Sequence, residues 1–254
     1  MSVPFETSTA LSGLRHGFFG RRGGVSGGDF ASLNVSASNA DDPAHAQENR
    51  RRAVAALGGG ALVTARQVHS ARVANAGDVT ADTEADALVT TTPGVLLGIL
   101  TADCCPILLA DAEAGVVAAA HAGWRGAIDG VVRETVAAML ALGARRNAIS
   151  AAIGPTISGP NYEVGPDFRA DLLARDPGAA PFFISGPDGR PHFDLPGFVL
   201  AQLAASGIEA ERIGGCTYAD PERYFSHRRA THEAGRAGRQ IAVIGLDDRG
   251  EAIR

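Results

Sequence analysis

Apolar residues in this chain come in short dense runs broken by glycine, proline and aspartate. Residues 61–69 (ALVTARQVH), 85–91 (ADALVTT), 95–103 (VLLGILTAD), 106–111 (PILLAD) and 115–123 (GVVAAAHAG) are short, and their valines and isoleucines predict strands. Several lack polar alternation, as strands buried on both faces do. Residues 149–155 (ISAAIGP), 212–217 (RIGGCT) and 240–248 (QIAVIGLDD) read the same way.

Helices are marked by a different spacing. Residues 126–143 (GAIDGVVRETVAAMLALG) repeat apolar positions every three or four residues and stop at Gly143. Residues 165–176 and 196–207 show the same pattern. In residues 41–60, Asp42 is placed to cap a helix, Pro43 suits its first turn and Gly58 ends it. Strands and helices mix without strict alternation, so the class expected is α+β, or α/β with a mixed sheet. No linker or repeat divides the chain, and one domain over residues 1–254 is expected. Residues 218–239 form a polar loop dense in arginine and aromatic side chains, a length more often functional than idle.

Composition narrows the chemistry. The net charge is −5, giving no reason to expect nucleic acid or an anionic membrane as partner. Every cation is arginine, since the chain has no lysine, and this removes Schiff bases and P-loop phosphate binding. Three cysteines in 254 residues are not a disulfide framework. The N-terminal MSVPFETSTALSG has neither a basic start nor an apolar core, so a cytoplasmic location is expected. Nothing distinguishes a monomer from a homodimer. GVSGG (24–28) matches the hydrolase nucleophile elbow, but glycine-rich sequence on both sides denies it the strand and helix that motif needs.

Three of the predicted strands end on residues that ligate metals: His69 in RQVH, Cys104 or Cys105 in TADCC, and His121 in HAGWRG. Two imidazoles and a thiolate suit zinc, and three protein ligands leave a coordination position open for water or substrate. The same residues also make a thiolate nucleophile with a histidine base. Lone histidines and cysteines in apolar strands are, in the plainest case, buried core residues.

These motifs, together with HGFFGRRGGVSGGDFASLNVS, ADALVTTTPGVLLGILTADCCPILL, IGPTISGPNYEVG, FDLPGFVLAQL and YFSHRR, resemble the laccase-domain, or YfiH-like, family. The resemblance runs in order from about His16 to Leu246. The family was once called multicopper polyphenol oxidases and is now described as purine nucleoside phosphorylases. It implies a layered sandwich of mixed β-sheets flanked by helices, similar to cysteine hydrolases of the cytotoxic-necrotizing-factor type. It also implies a metal site at His69, Cys104 and His121, usually assigned to Zn2+, with Cu2+ also possible. Cys105 stands where the family has an apolar residue, and strand alternation would point it away from Cys104. Departures are the missing cysteines in GPTISGPNYEV, His227 in place of tyrosine, and Ala237 in place of threonine.

The activity implied is phosphorolysis of adenosine, inosine and methylthioadenosine to free base and (methylthio)ribose 1-phosphate, with deamination of adenosine besides. Purine nucleoside and phosphate are then the partners. Arginine is the fork-shaped donor for phosphate, and Arg66, Arg125, Arg228 and Arg229 are candidates. Phe225, Tyr162, Tyr218 and Trp124 offer aromatic walls for a purine. Asn34 is a candidate for a ribose hydroxyl, and Asp103 or Glu163 for a proton-shuttling carboxylate. The alternative is a Cys-His thiol hydrolase editing a peptidoglycan precursor. A full multicopper oxidase needs roughly ten histidine ligands, and the chain has seven histidines.

Overall fold

The computed structural model describes residues 3–37 and 40–247. In chain order the strands are β1 (Phe5–Glu6), β2 (Arg15–Phe19), β3 (Ala61–Val63), β4 (Val73–Asn75), β5 (Ala87–Thr90), β6 (Val95–Thr101), β7 (Cys105–Asp111), β8 (Val116–Ala122), β9 (Ser150–Ile153), β10 (Phe183–Ser185), β11 (Pro191–Phe193), β12 (Ala210–Arg212) and β13 (Gln240–Gly245). The helices are α1 (Pro43–Ala56), α2 (Trp124–Asp129), α3 (Val131–Ala141), α4 (Pro166–Arg175), α5 (Leu195–Ala205) and α6 (His227–His232).

Two mixed sheets carry the fold. One has the order β1-β2-β13-β6-β3, the other β12-β9-β7-β8-β5-β4, and β10 and β11 form a separate hairpin. Between the sheets, Phe18, Leu97, Ile99 and Ile244 meet Leu88, Leu108, Val117 and Ala152 in one buried layer. Along β7 the period of two is visible: Leu108 and Ala110 enter that layer, whereas Ile107 and Leu109 point to the helix side. There they pack with Val132 and Val136 of α3 and Leu203 of α5. Ala53 of α1 covers the far side of the other sheet, against Phe19, Leu96 and Val243. The architecture is therefore helix, sheet, sheet, helix, the α+β sandwich expected.

Local differences from the sequence pattern have physical reasons. The helix expected over residues 126–143 is two helices, because Gly130 adopts φ +93 and its N–H closes the last turn of α2. The strand expected over 61–69 pairs only at Ala61–Val63. Beyond it the chain leaves the sheet, and Arg66 bridges to Glu84. Pairing near residue 212 is shifted upstream into β12, which runs parallel to β9. Gly214 at φ +73 then turns the chain, leaving Cys216 a lone bridge to Thr156. Asp248, the last residue of the strand expected from 240, lies outside the described residues.

β7 and β8 position the site. They pair antiparallel with Cys105 opposite Ala122 and Pro106 opposite His121. The start of β7 therefore lies beside the end of β8, bringing Cys104 and His121 together from positions 17 residues apart in the chain.

Candidate metal centre

His121 lies at the end of β8 and is buried. Cys104 immediately precedes β7, and His69 sits in the loop after β3. One ligand atom from each comes within 4.8 Å of the others. Cys104 Sγ is 3.8 Å from His69 Nε2. The two imidazoles stand edge to face with centroids 4.8 Å apart. Ligands on a tetrahedral zinc lie roughly 3.3–3.6 Å apart at ordinary bond lengths, so small side-chain rotations suffice. The donor set fits a metal ion in chemistry as well as in spacing.

Asp86, unnoticed in the sequence, organises both histidines. Its buried carboxylate accepts the backbone N–H of His69 at 2.9 Å and of Ser70 at 2.7 Å, and the Ser70 hydroxyl at 2.7 Å. Its Oδ1 also accepts from His121 Nδ1 at 2.8 Å. This leaves His121 Nε2 as the nitrogen that would face a bound metal, since a hydrogen bond to the other ring nitrogen fixes tautomer and ring orientation in zinc sites. The turn around the carboxylate holds His69 at φ +61, a conformation non-glycine residues rarely adopt. Burial works against the Asp86 charge, but the His121 and Ser70 hydrogen bonds outweigh it and hold the carboxyl well below its ordinary range.

The two adjacent thiols lie in different surroundings. Cys105 is the first residue of β7 and packs with Ile107 and Ala122 on the helix side. Burial there pushes its thiol up to about 12. Cys104 precedes the strand, after a corner where Asp103 takes φ +85. Burial also opposes ionisation of Cys104, but His121 and His69 overcome it and bring the thiol down to about 6. His121 is correspondingly raised by Cys104 and Asp86, against the effect of burial. The two shifts act together, each group favouring the charged form of the other.

Two concave lobes meet at this centre, and His69, Ala102, Cys104 and His227 line both. One, of about 220 Å³, is walled by Trp124, Tyr162, Ile157 and Leu195 with Arg125 and Arg228. Arg228 lies over the Tyr162 ring at 5.3 Å and Arg125 over Trp124 at 4.9 Å. The other, of about 500 Å³, is bordered by Arg50, Arg66 and Arg239, with Gln67 and Thr101.

The remaining sequence candidates fall in different places. Asp103 lines the aromatic lobe, but its carboxylate accepts from Thr217 Oγ1 at 2.7 Å and from the Arg228 backbone N–H at 2.6 Å. It latches the 218–239 loop to the β6–β7 corner. Glu163 pairs with Arg190 at 2.8 Å. Arg66 borders the larger lobe while pairing with Glu84. Asn34 is buried, donating to Asp41 and accepting the Arg239 backbone N–H, outside both lobes. Phe225 is buried beneath Arg21. Arg229 is spent on the Tyr218 carbonyl and Glu233, and Tyr218 meets His232. Arg50 and Arg239 escaped notice because nothing in sequence separates them from the other arginines.

Among the described residues, no helix is long and apolar enough to cross a membrane. The family model described as multi-copper polyphenol oxidoreductase laccase matches residues 15–247. The chain is 46% identical over 236 residues to a purine nucleoside phosphorylase of Deinococcus radiodurans, covering 92% of this chain and 90% of that one. A purine nucleoside phosphorylase of Mycobacterium tuberculosis is 42% identical over 214 residues, covering 82% and 84%. Among solved structures, a Neisseria meningitidis protein superposes with a TM-score of 0.86 at 32% identity, over 97% of this chain and all of that one. YlmD from Geobacillus stearothermophilus gives 0.83 at 30% identity, with the same coverage. The His-Cys-His cluster, the layered sandwich that carries it and these relatives together place the chain in the laccase-like, YfiH-type family, whose model is described as multi-copper polyphenol oxidoreductase laccase.

Proposed function

We propose that this protein is a zinc-containing purine nucleoside phosphorylase with adenosine deaminase activity. The observation that carries the reading is the position of His69, Cys104 and His121 at the junction of an aromatic lobe and an arginine-lined lobe. The names of the relatives support the same substrate class.

A purine base suits the lobe walled by Trp124 and Tyr162, where ring faces and the Leu195 side chain supply apolar contact. Arg125 and Arg228 provide donors there for purine acceptors. The ribose then spans the junction, and the wider lobe remains for phosphate. In phosphorolysis a phosphate oxygen bonds to C1′ as the C1′–N9 bond breaks, and the departing base takes up a proton. His227 borders both lobes, and in this reading it is the group that delivers that proton. Asp103 keeps Arg228 and the 218–239 loop in register through its two hydrogen bonds. When bound, zinc would supply Lewis acidity for activating water near neutral pH, the chemistry that replaces the 6-amino group of adenine by oxygen and releases ammonia.

A second reading is favoured by one observation. Cys104, His121 and Asp86 are arranged as nucleophile, base and orienting carboxylate, with the thiol brought down to about 6 by the histidines against the effect of burial. A metal-free thiol hydrolase acting on an amide, such as a peptidoglycan precursor, would use the same three residues.

The test is an incubation of purified protein with adenosine, with and without phosphate, following adenine, ribose 1-phosphate and inosine. Phosphate-dependent adenine release that tracks zinc content supports phosphorolysis. Absence of all three products sinks the nucleoside reading. Full amidase activity in metal-stripped protein, abolished by alkylating Cys104, supports the hydrolase.

A further inference from the structure

The chain has three tyrosines, and the hydroxyls of two are engaged by protein partners. Tyr224 Oη donates to Glu6 at 2.7 Å, and Tyr218 Oη lies 3.1 Å from His232 Nδ1. Tyr162 differs: among the described residues its hydroxyl has no hydrogen-bond partner. The residue is nevertheless held in place. Its N–H donates to the Gly159 carbonyl at 3.0 Å, and its carbonyl accepts the Phe193 N–H at 3.0 Å. Its ring leans on Phe193, with centroids 6.4 Å apart, and the Arg228 guanidinium covers it at 5.3 Å. Arg228 is itself fixed by hydrogen bonds to the Glu163 carbonyl and the Asp103 carboxylate.

The hydroxyl stands inside the aromatic lobe. Burial raises it above the ordinary phenol range, and the charges of Cys104, Arg228, Asp103 and Arg125, all lining that lobe, reach it. It therefore stays protonated and donates throughout the neutral range. A partly buried donor without a partner loses hydrogen bonds to water and regains one only from a bound group. The Trp124, Ile157 and Leu195 side chains around it offer flat apolar contact and no acceptor. The Asp103 carboxylate in the same lobe is already engaged by Thr217 and by the Arg228 N–H. Pockets for whole drug-sized ligands begin at roughly 300 Å³. At about 220 Å³ this lobe suits one planar ring system rather than a complete nucleoside.

From this geometry we infer that the Tyr162 hydroxyl recognises the base, donating a hydrogen bond to an endocyclic purine nitrogen, N3 or N7. The inference rests on the reading above that puts the base in the aromatic lobe. A stacked heteroaromatic ring keeps its nitrogen lone pairs in its own plane, so apolar walls satisfy none of them and the ring edge needs a donor. The hydrogen bond also favours departure of the base. As the C1′–N9 bond breaks, its electron pair passes to the base, and the charge that builds on the ring nitrogens strengthens the contact. Tyr162 is then a determinant of specificity as well as a wall, because a base with carbon at the contacted position leaves the hydroxyl unpaired.

The experiment compares the metal-loaded wild type with Tyr162→Phe, which keeps the ring and removes the hydroxyl. Binding of 9-methyladenine and of its 3-deaza and 7-deaza counterparts is measured by calorimetry, since none of the three can undergo phosphorolysis. Metal content and cleavage of adenosine with phosphate are followed alongside. The expected result is a Kd for 9-methyladenine about tenfold higher in the variant, with metal content unchanged. For one deaza counterpart the two proteins should agree within about twofold, which identifies the contacted nitrogen, and for the other the gap should persist. The same pattern in a wild type that cleaves no nucleoside would keep the contact and remove phosphorolysis. Equal affinity of the two proteins for 9-methyladenine, an equal loss on all three bases, or no binding by the wild type would each overturn the inference. Adenosine cleavage by that wild type would still leave phosphorolysis standing.

Discussion

Asp86 Oδ1 accepts a hydrogen bond from His121 Nδ1 at 2.8 Å, and both side chains are buried. The same carboxylate also gathers the backbone around His69, so a single residue orients two of the three candidate ligands. Replacing Asp86 by Asn keeps the shape and removes the charge that stabilises the His121 tautomer. Metal affinity or turnover is expected to fall about 10–100-fold, read by competition with a chromogenic chelator. Unchanged affinity would limit Asp86 to a structural role.

Cys104 and Cys105 are expected to separate cleanly on mutation. Cys104→Ser removes the soft donor and the low-lying thiol, so metal content should drop below one ion per chain and ribose 1-phosphate formation with it. Cys105→Ala leaves the site intact and opens a small cavity between β7, β8 and the helix layer. Metal content and activity should persist, with a stability loss of about 1 kcal/mol by denaturant titration. Loss of metal in Cys105→Ala alone would reverse the assignment.

Gly123 is required by space rather than by backbone conformation. Its φ of −73° is open to any residue. A Cβ there would nonetheless stand 2.5 Å from His69 Cδ2 and 3.2 Å from Cys104 Sγ. In Gly123→Ala the His69 ring must turn out of the cluster, and metal affinity should weaken at least tenfold. The far-ultraviolet circular dichroism spectrum should not change. A variant that binds metal normally would show that His69 is free to stand elsewhere.

Alkaline pH should destabilise the fold through Cys105. Its thiol has an ordinary value of 9.0 and is raised to about 12 by burial. Between those values the unfolded chain has released the proton and the folded chain still holds it. Stability from this group is therefore complete below pH 9 and is lost as pH rises toward 12. Tyr224, raised to about 12 by burial and its hydrogen bond to Glu6, acts in the same direction from pH 10 upward. Melting temperature measured from pH 8 to 11 should decline, and less steeply in Cys105→Ala. An identical slope in the variant would assign the effect to other groups.

Much of the fold was legible from pattern alone. β6, β7 and β8 came from uninterrupted apolar runs, because strands covered on both faces have no polar side to show. The missed strands β1, β4, β10 and β11 are only two or three residues long, too short to show a period of two, and β2 owes its place to pairing with β13 from the far end of the chain. The break at Gly130 was also missed, since apolar spacing continues through it while the backbone does not.

What the sequence determined by itself was local: strand identity, the candidate ligands at strand ends, and the arginine-only complement of cations. The separation of the adjacent thiols was expected from alternation, but the corner at Asp103 contributes to it. Only the tertiary structure decided which groups converge. Asp86 became the organiser of His69 and His121 because the β5–β8 pairing sets its carboxylate between them. Arg50 and Arg239 came to line one lobe because α1 and the segment leading into β13 both hydrogen-bond to Val35. A side chain's charge is written in the sequence. The distance to its partner, and the water excluded between them, are set by chain segments that the sequence places far apart.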